Sequence, residues 1–235
     1  MSLLERSLPL LGKDGMEKLN NSSVIVFGVG GVGSWCAEAL ARCGVGKITL
    51  VDGDIVSDSN RNRQLAALNS TIGLPKAKVC TERLMDINAE CDILAIDLFY
   101  SAETKGQIDL NQYDHIADCI DTVTSKLLLI SEAKAKNIPI ISSMGTGNRL
   151  NPSFVMVKDI FETSGDPLAR VMRKELRARG IESLKVVLSE EAPGECFEGR
   201  NEETRRATPS SAIFVPATAG LRMSYEIITE ILKNG

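Results

Sequence analysis

The stretch "VIVFGVGGVGSWCAEALARCGVGKITLVDGD", Val24 to Asp54, decides the fold. Val24 to Phe27 is a short continuous apolar run, the pattern of a parallel strand covered on both faces. Gly28, Gly30, Gly31 and Gly33 follow at once, so the strand runs straight into a glycine-rich turn. From Ser34 to Arg42 helix formers dominate, with Trp35, Ala39 and Leu40 at helical spacing. Gly44 and Gly46 then end the helix before a second apolar strand, Ile48 to Val51. The result is one βαβ unit. A turn without side chains lets backbone N–H groups and a helix N-terminus approach a phosphate, where the helix dipole favours negative charge. Asp52 closes the second strand roughly 20 residues after the glycines, in position to accept hydrogen bonds from ribose hydroxyls. These residues imply a nucleotide, and by themselves fit NAD, FAD or ATP equally well.

Working outward, strand and helix continue to alternate. The pattern predicts a helix over Lys76 to Ile87 with Val79, Leu84 and Ile87 inward, a strand over Ile93 to Ile96, and a helix or helical turn over Glu103 to Leu110. "HIADCID", His115 to Asp121, reads as a strand ending on an acidic residue, followed by a helix Thr124 to Lys136 and a strand Ile138 to Ser142. Such alternation specifies a mostly parallel sheet wrapped by helices, with its ligand site at the carboxyl ends of the strands. Asp52, Asp121 and the glycine turn converge on that rim. In the second half, "RLNPSFVMVKDIFET" reads as one or two strands. "DPLARVMRKELRARG" reads as a helix with Asp166 as N-cap, Pro167 at the first position and Gly180 past the end. "LKVVLSEE" gives a strand, "APGECFEGRNEETRRATPSS" a polar loop too long for mere connection, and Pro216 to Leu232 a final helix. The expected fold class is α/β and Rossmann-like, with a C-terminal extension of mixed strands and helices. One domain over residues 1–235 suffices, divided into a nucleotide-binding half, 1–145, and a substrate-side half, 146–235.

A formal charge of -4 argues against a strong nucleic-acid binder overall and leaves room for a local basic face. The first residues carry Glu5 and Arg6 where a secretory signal would place an apolar core, and no apolar run approaches the roughly 18 residues of a membrane span. A cytoplasmic protein without a membrane partner is expected. Cys36, Cys43, Cys80, Cys91, Cys119 and Cys196 are scattered with no CxxC pair, so neither a zinc knuckle nor a redox pair is indicated.

The residues after Asp52 bear on which nucleotide is bound. His115, the sole histidine, falls just before or within a buried strand, a poor place for the proton-transfer histidine of a dehydrogenase. Meanwhile "NRNRQ" sets Asn60, Arg61, Arg63 and Gln64 after the ribose-binding strand, and Lys76 follows at a helix start. Several cations at one end of a parallel sheet suit a triphosphate better than a pyrophosphate: an arginine fork binds phosphate oxygens bidentately and a lysine supplies a point charge. Asp121, on the same rim, is placed to hold a magnesium ion (Mg2+) bridging the phosphates.

"GVGGVGSWCAEALARCGVGKITLVDGDIVSDSNRNRQ", "GLPKAKV" and "DCIDTVTSK" together resemble the ubiquitin-activating-enzyme-like (ThiF-type) adenylyltransferases, densely over residues 6–145. The resemblance implies ATP-dependent adenylyl transfer: an oxygen nucleophile attacks the α-phosphate, magnesium pyrophosphate leaves, and the adenylate is displaced. It further implies that Gly28, Gly30, Gly31 and Gly33 form the phosphate turn, that Asp52 binds the ribose with Asp54 in the same site, and that Asn60, Arg63, Gln64 and Lys76 contact the triphosphate. Asp121 would hold magnesium, and Arg63, Lys76 and Asp121 would carry the catalytic load. Arg6, in "ERSLPLLG", matches an arginine that family homodimers reach across to the partner's ATP.

The branch of this family that activates sulfur-carrier proteins usually has two CxxC pairs, absent here. "SGDPLARVMRKELRARGI", "SEEAPGE" and "AIFVPATAGLRMSYEIITEIL" instead resemble the branch that dehydrates threonylcarbamoyladenosine beside the tRNA anticodon, over nearly the whole chain. Adenylylation of a carrier's C-terminal glycine is the alternative, and a non-catalytic ATP-binding sulfur-relay scaffold another. For relatives of this kind a monovalent cation and a cysteine desulfurase or sulfur-acceptor partner also come into question. Arg170, Arg173, Lys174 and Arg177 fall three or four apart on one helix face, with Leu168, Val171, Met172 and Leu176 inward, a stripe able to bind tRNA phosphates. Arg205 and Arg206 would extend it. Cys196, beside Glu195, stands in a polar loop where the neighbouring carboxylate disfavours thiolate. Dehydration needs no enzyme nucleophile, because the cyclising oxygen is already in the substrate.

Overall fold

Val24, Ile25, Val26 and Phe27 have no solvent exposure because the strand they form lies inside the sheet with helices on both faces. The computed structural model describes residues 3–194 and 209–233. Among the described residues seven strands make one sheet: β1 Ser23–Phe27, β2 Lys47–Val51, β3 Asp92–Ile96, β4 His115–Asp118, β5 Ile140–Ser143, β6 Val155–Asp159 and β7 Lys185–Ser189. Their order is β3-β2-β1-β4-β5-β7-β6, parallel throughout except for β6 against β7. The order reverses between β1 and β4, which opens a crevice at their carboxyl ends.

Six α-helices among the described residues cover the sheet: α1 Leu8–Asn20, broken at Gly12, α2 Gly33–Arg42, α3 Lys76–Ile87, α4 Val123–Ala135, α5 Pro167–Ala178 and α6 Phe214–Lys233. Alternation along β1 sends Val24 and Val26 into one core, with Leu40 of α2 and Met223 and Ile227 of α6. Ile25 and Phe27 enter the other, with Leu129 and Ile130 of α4 and Met172 and Leu176 of α5.

Five sequence expectations are corrected. The strand expected over His115 to Asp121 ends at Asp118, whose carboxylate is drawn into the interior by Ser142 and Lys126, so the backbone leaves the sheet before Asp121. Glu103 to Leu110 forms no α-helix; short 3-10 turns stand at Lys105–Gln107 and Leu110–Gln112. The fifth strand starts at Ile140, not Ile138, and the last helix starts two residues ahead of Pro216, which the first turn tolerates because its N–H would be unpaired there. In α5 the buried phase is Ala169, Met172 and Leu176, which leaves Val171 exposed.

Candidate functional site

A cleft of about 790 Å³ opens at the carboxyl ends of the central strands. Its floor is the turn after β1. A Cβ on Gly33 would lie 1.8 Å from the Gly28 carbonyl oxygen, so α2 can start against the turn only if that residue is glycine. Ser34 Oγ donates to the Gly30 carbonyl at 2.7 Å and fixes the turn. Gly28, Gly30 and Gly31 line the cleft, and Gly33 lies behind them at the start of α2.

Beside the turn, Asp52 accepts from the Val29 N–H at 2.7 Å through Oδ2 and from the Asp54 N–H at 2.8 Å through Oδ1. Burial pushes its carboxyl above the ordinary value of 3.8, against the pull of those two donors and of Lys76. Lys76 opens α3, is only 6% exposed, and donates from Nζ to Asp54 Oδ2 at 2.8 Å. The bond to Asp54 holds its Nζ in one place at the wall of the cleft. Arg63 extends its stem over Gly31 and donates from Nη1 to the Ser59 carbonyl and to Asn62 Oδ1. Trp35 Nε1 anchors the Arg63 carbonyl at 3.0 Å. Gln64 is 8% exposed and lines the cleft, and its Oε1 has no hydrogen-bond partner among the described residues. A buried acceptor left open in a cleft is an acceptor for a ligand's donor.

Asp121 stands exposed on the opposite wall. The loop that carries it is pinned from below: Lys126 Nζ donates to the Ile120 carbonyl at 2.9 Å, and Asp118 Oδ1 accepts from the Ile120 N–H at 3.2 Å. Lys126 and Asp118 are 2.9 Å apart with both side chains 0% exposed.

Of the positions singled out in the sequence, the structure brings Gly28, Gly30, Gly31, Asp52, Asp54, Arg63, Gln64, Lys76 and Asp121 to this one cleft. Asn60 does not line it; Asn60 Oδ1 accepts from the Ser57 N–H and shapes the turn that delivers Arg63. Arg6 is exposed in the turn before α1, where Leu4 packs on Gly44 ahead of the amino end of β2, and it does not line its own chain's cleft. His115 stands at the amino end of the central strand β4, with Nε2 3.4 Å from a Glu230 carboxylate oxygen, and burial lowers its pKa. Burial also pushes the Cys36 and Cys80 thiols up to about 12 and Cys91 to about 11, which leaves them unreactive. Glu195, Cys196, Arg205 and Arg206 lie outside the described residues.

Two features escaped the sequence reading. Lys126 sits in the run "VTSKLLLI" on the same phase as the buried Ile130 and Ala133, and a charge on an inward phase was the available signal. The Gly145–Thr146–Gly147 segment after β5 forms the cleft wall facing the glycine turn, foreshadowed only by a glycine pair directly after a strand. Leu168, in the first turn of α5, lines the cleft too, so the charged face of that helix leads away from it. Arg170, Lys174 and Arg177 are exposed, with the Arg177 guanidinium 5.1 Å from the Phe161 ring centroid, whereas Arg173 folds back onto Thr163.

Among the described residues no group of three or more histidine, cysteine or acidic side chains is arranged to hold a metal, and no helix is long and apolar enough to cross a membrane. A model of the ThiF family matches residues 4–233. The tRNA threonylcarbamoyladenosine dehydratase of Bacillus subtilis is 44% identical over 234 residues, 95% of this chain and 92% of that protein. The Escherichia coli protein of the same name is 39% identical over 169 residues, 72% of this chain and 63% of that one. The crystal structure of Escherichia coli tRNA N6-threonylcarbamoyladenosine dehydratase in complex with ATP superposes with a TM-score of 0.87 at 32% identity, covering 98% of this chain and 95% of that chain. The chain belongs to the ThiF family, in the branch of its tRNA threonylcarbamoyladenosine dehydratases.

Proposed function

We propose that this protein binds ATP in the cleft and uses it to dehydrate threonylcarbamoyladenosine in tRNA to the cyclic form. The observation that carries the reading is the meeting of Lys76, Arg63 and the open Gln64 acceptor around the glycine turn, in a cleft from which a basic helix leads outward. The carboxylate of the threonylcarbamoyl group attacks the α-phosphorus and pyrophosphate leaves. The carbamoyl oxygen then attacks the activated carbonyl carbon and expels AMP, so water is removed at the expense of ATP. Negative charge grows on the leaving pyrophosphate, and Lys76 and Arg63 are fixed beforehand on the wall where it would develop. Asp52 orients the ribose through the lone pairs its backbone donors leave free.

Magnesium fits as an ion delivered with the nucleotide. Two exposed carboxylates line the cleft, Asp121 and the Lys76-bonded Asp54, and one or two carboxylates plus phosphate oxygens are the usual magnesium set. Bound there, the ion would neutralise phosphate charge.

The protein acts as a homodimer in this reading. Leu3, Leu8 and Leu10 beside Arg6 are exposed, and so are Ile55, Ile72 and Leu74 beside Asp54 and Lys76. Laying one apolar segment on the other copy's patch removes both from water and takes Arg6 to the partner's cleft. The whole described chain forms one domain in this reading, with residues 1–145 as the nucleotide half.

The test is incubation with ATP, magnesium and tRNA carrying threonylcarbamoyladenosine, followed by mass analysis of the nucleosides. Loss of one water, abolished in Arg63→Ala, is the expected result. No loss, with AMP formed only when a carrier protein ending in Gly-Gly is supplied, would replace the substrate assignment with carrier activation.

A further inference from the structure

Arg149 has no part in the nucleotide site, yet it is among the most fully committed side chains in the molecule. Its side chain is 2% exposed and every guanidinium nitrogen donates. Nη1 donates to the Gly145 carbonyl at 2.7 Å and reaches the Gly147 carbonyl at 3.4 Å, Nε donates to the Glu191 carbonyl at 3.0 Å, and Nη2 donates to Asp166 Oδ2 at 2.8 Å. Asp166 is 1% exposed and spends its other oxygen, Oδ1, on the Ala169 N–H at 2.7 Å, the N-cap bond that starts α5. The pair also touches the wall directly: a Cβ on Gly145 would lie 2.9 Å from Asp166 Oδ2, so a larger residue there would push on the carboxylate.

One ion pair therefore ties together two things. On one side is the Gly145–Gly147 wall of the cleft that the glycine turn also lines. On the other is the first turn of α5, whose exposed Arg170, Lys174 and Arg177 extend from the cleft over about 10 Å of helix. A buried guanidinium fork is well suited to this because its planar donors fix direction as well as distance.

We infer that Arg149 and Asp166 are positioning residues that set the spacing between the tRNA-holding helix and the reaction cleft, so that tRNA held by its phosphates presents its modified base at the adenylylation point. The inference rests on the functional reading above. It separates two quantities that a merely structural pair would move together. Loosening the tie leaves ATP binding to the glycine turn and phosphate binding to α5 intact, and lowers the rate at which bound tRNA reacts. Misplacement by about 1 Å is enough to cost up to about a hundredfold in rate.

Asp166→Asn is the decisive variant, because asparagine keeps the N-cap and removes the charge that holds Arg149; Arg149→Lys keeps the charge and loses the fork. For wild type and both variants, ATP affinity and tRNA affinity would be measured at equilibrium, and kcat for cyclisation under saturating tRNA and ATP. The expected result is both affinities within about twofold of wild type and kcat lower by about tenfold or more, with Arg149→Lys intermediate. An unchanged kcat in both variants beside an active wild type would overturn the inference alone. Loss of ATP affinity in step with kcat would also overturn it, by reducing the pair to general scaffolding. A wild type that dehydrates nothing would overturn the functional reading, and the inference with it.

Discussion

Lys76, Asp118 with Lys126, and Asp52 show three ways in which single side chains carry the site. Lys76 is a fixed cation facing the cleft, so Lys76→Ala is expected to lower kcat by about 10²-fold or more, and single-turnover measurement of AMP release checks it. Lys126 lies beneath the site. Lys126→Met leaves the Asp118 carboxylate buried and unpaired, which is expected to cost about 3–5 kcal/mol of stability in urea unfolding; a variant as stable as wild type would contradict this. Asp52 makes a pH prediction. Its folded pKa is raised above 3.8, so the folded chain holds that proton more tightly than the unfolded one. The cost of burying the carboxylate is present at neutral pH and fades as pH falls through the raised value toward 3.8. ATP affinity should move the other way, weakening over the same window as the ribose acceptor is protonated. Asp52→Asn should remove that acidic limb from a binding-versus-pH curve.

At the scale of the element, α5 carries the nucleic-acid argument. Replacing Arg170, Lys174 and Arg177 together by alanine should weaken tRNA binding and leave ATP affinity unchanged. The slope of log affinity for tRNA against log salt should become shallower by about 0.7–0.9 for each phosphate that the helix no longer neutralises. The start of α5 was legible because Asp-Pro before a helical run states its own N-cap, and the Asp166 side chain does accept from Ala169. Its inward face was only partly legible: periodicity admits several neighbouring phases, and the packing on Ile160 and Leu184 that buries Ala169 and exposes Val171 is tertiary. The same limit explains the strand at His115. Sequence showed an apolar run closing on acid, but which of Asp118 and Asp121 ends it depends on Ser142 and Lys126, from other elements. The glycine turn needed no such partner, because strand, glycines and helix follow one another without a break.

Over the whole molecule, the cleft lies at the carboxyl ends of the strands and Arg6 on the side of their amino ends, so the dimer reading has a complementation test. Arg6→Ala and Lys76→Ala, each inactive alone, should recover about a quarter of wild-type activity when mixed and reassorted, because half the dimers are mixed and each holds one complete site. Absence of recovery in mixtures shown to contain mixed dimers would place Arg6 outside the partner's cleft. The sheet order carries one more consequence. β6 precedes β7 in the chain yet lies outside it, and among the described residues its only sheet neighbour is β7. No hydrogen-bonded place exists for β6 until β7 has docked on β5. The glycine turn, Asp52 and Asp121 follow β1, β2 and β4, and Lys76 opens the helix between β2 and β3, strands that all pair without β6, whereas the wall held to Glu191 by Arg149 waits for the outer pair. A refolding chain should therefore recover its grip on ATP first and its capacity to close the ring later, as two separable events in time.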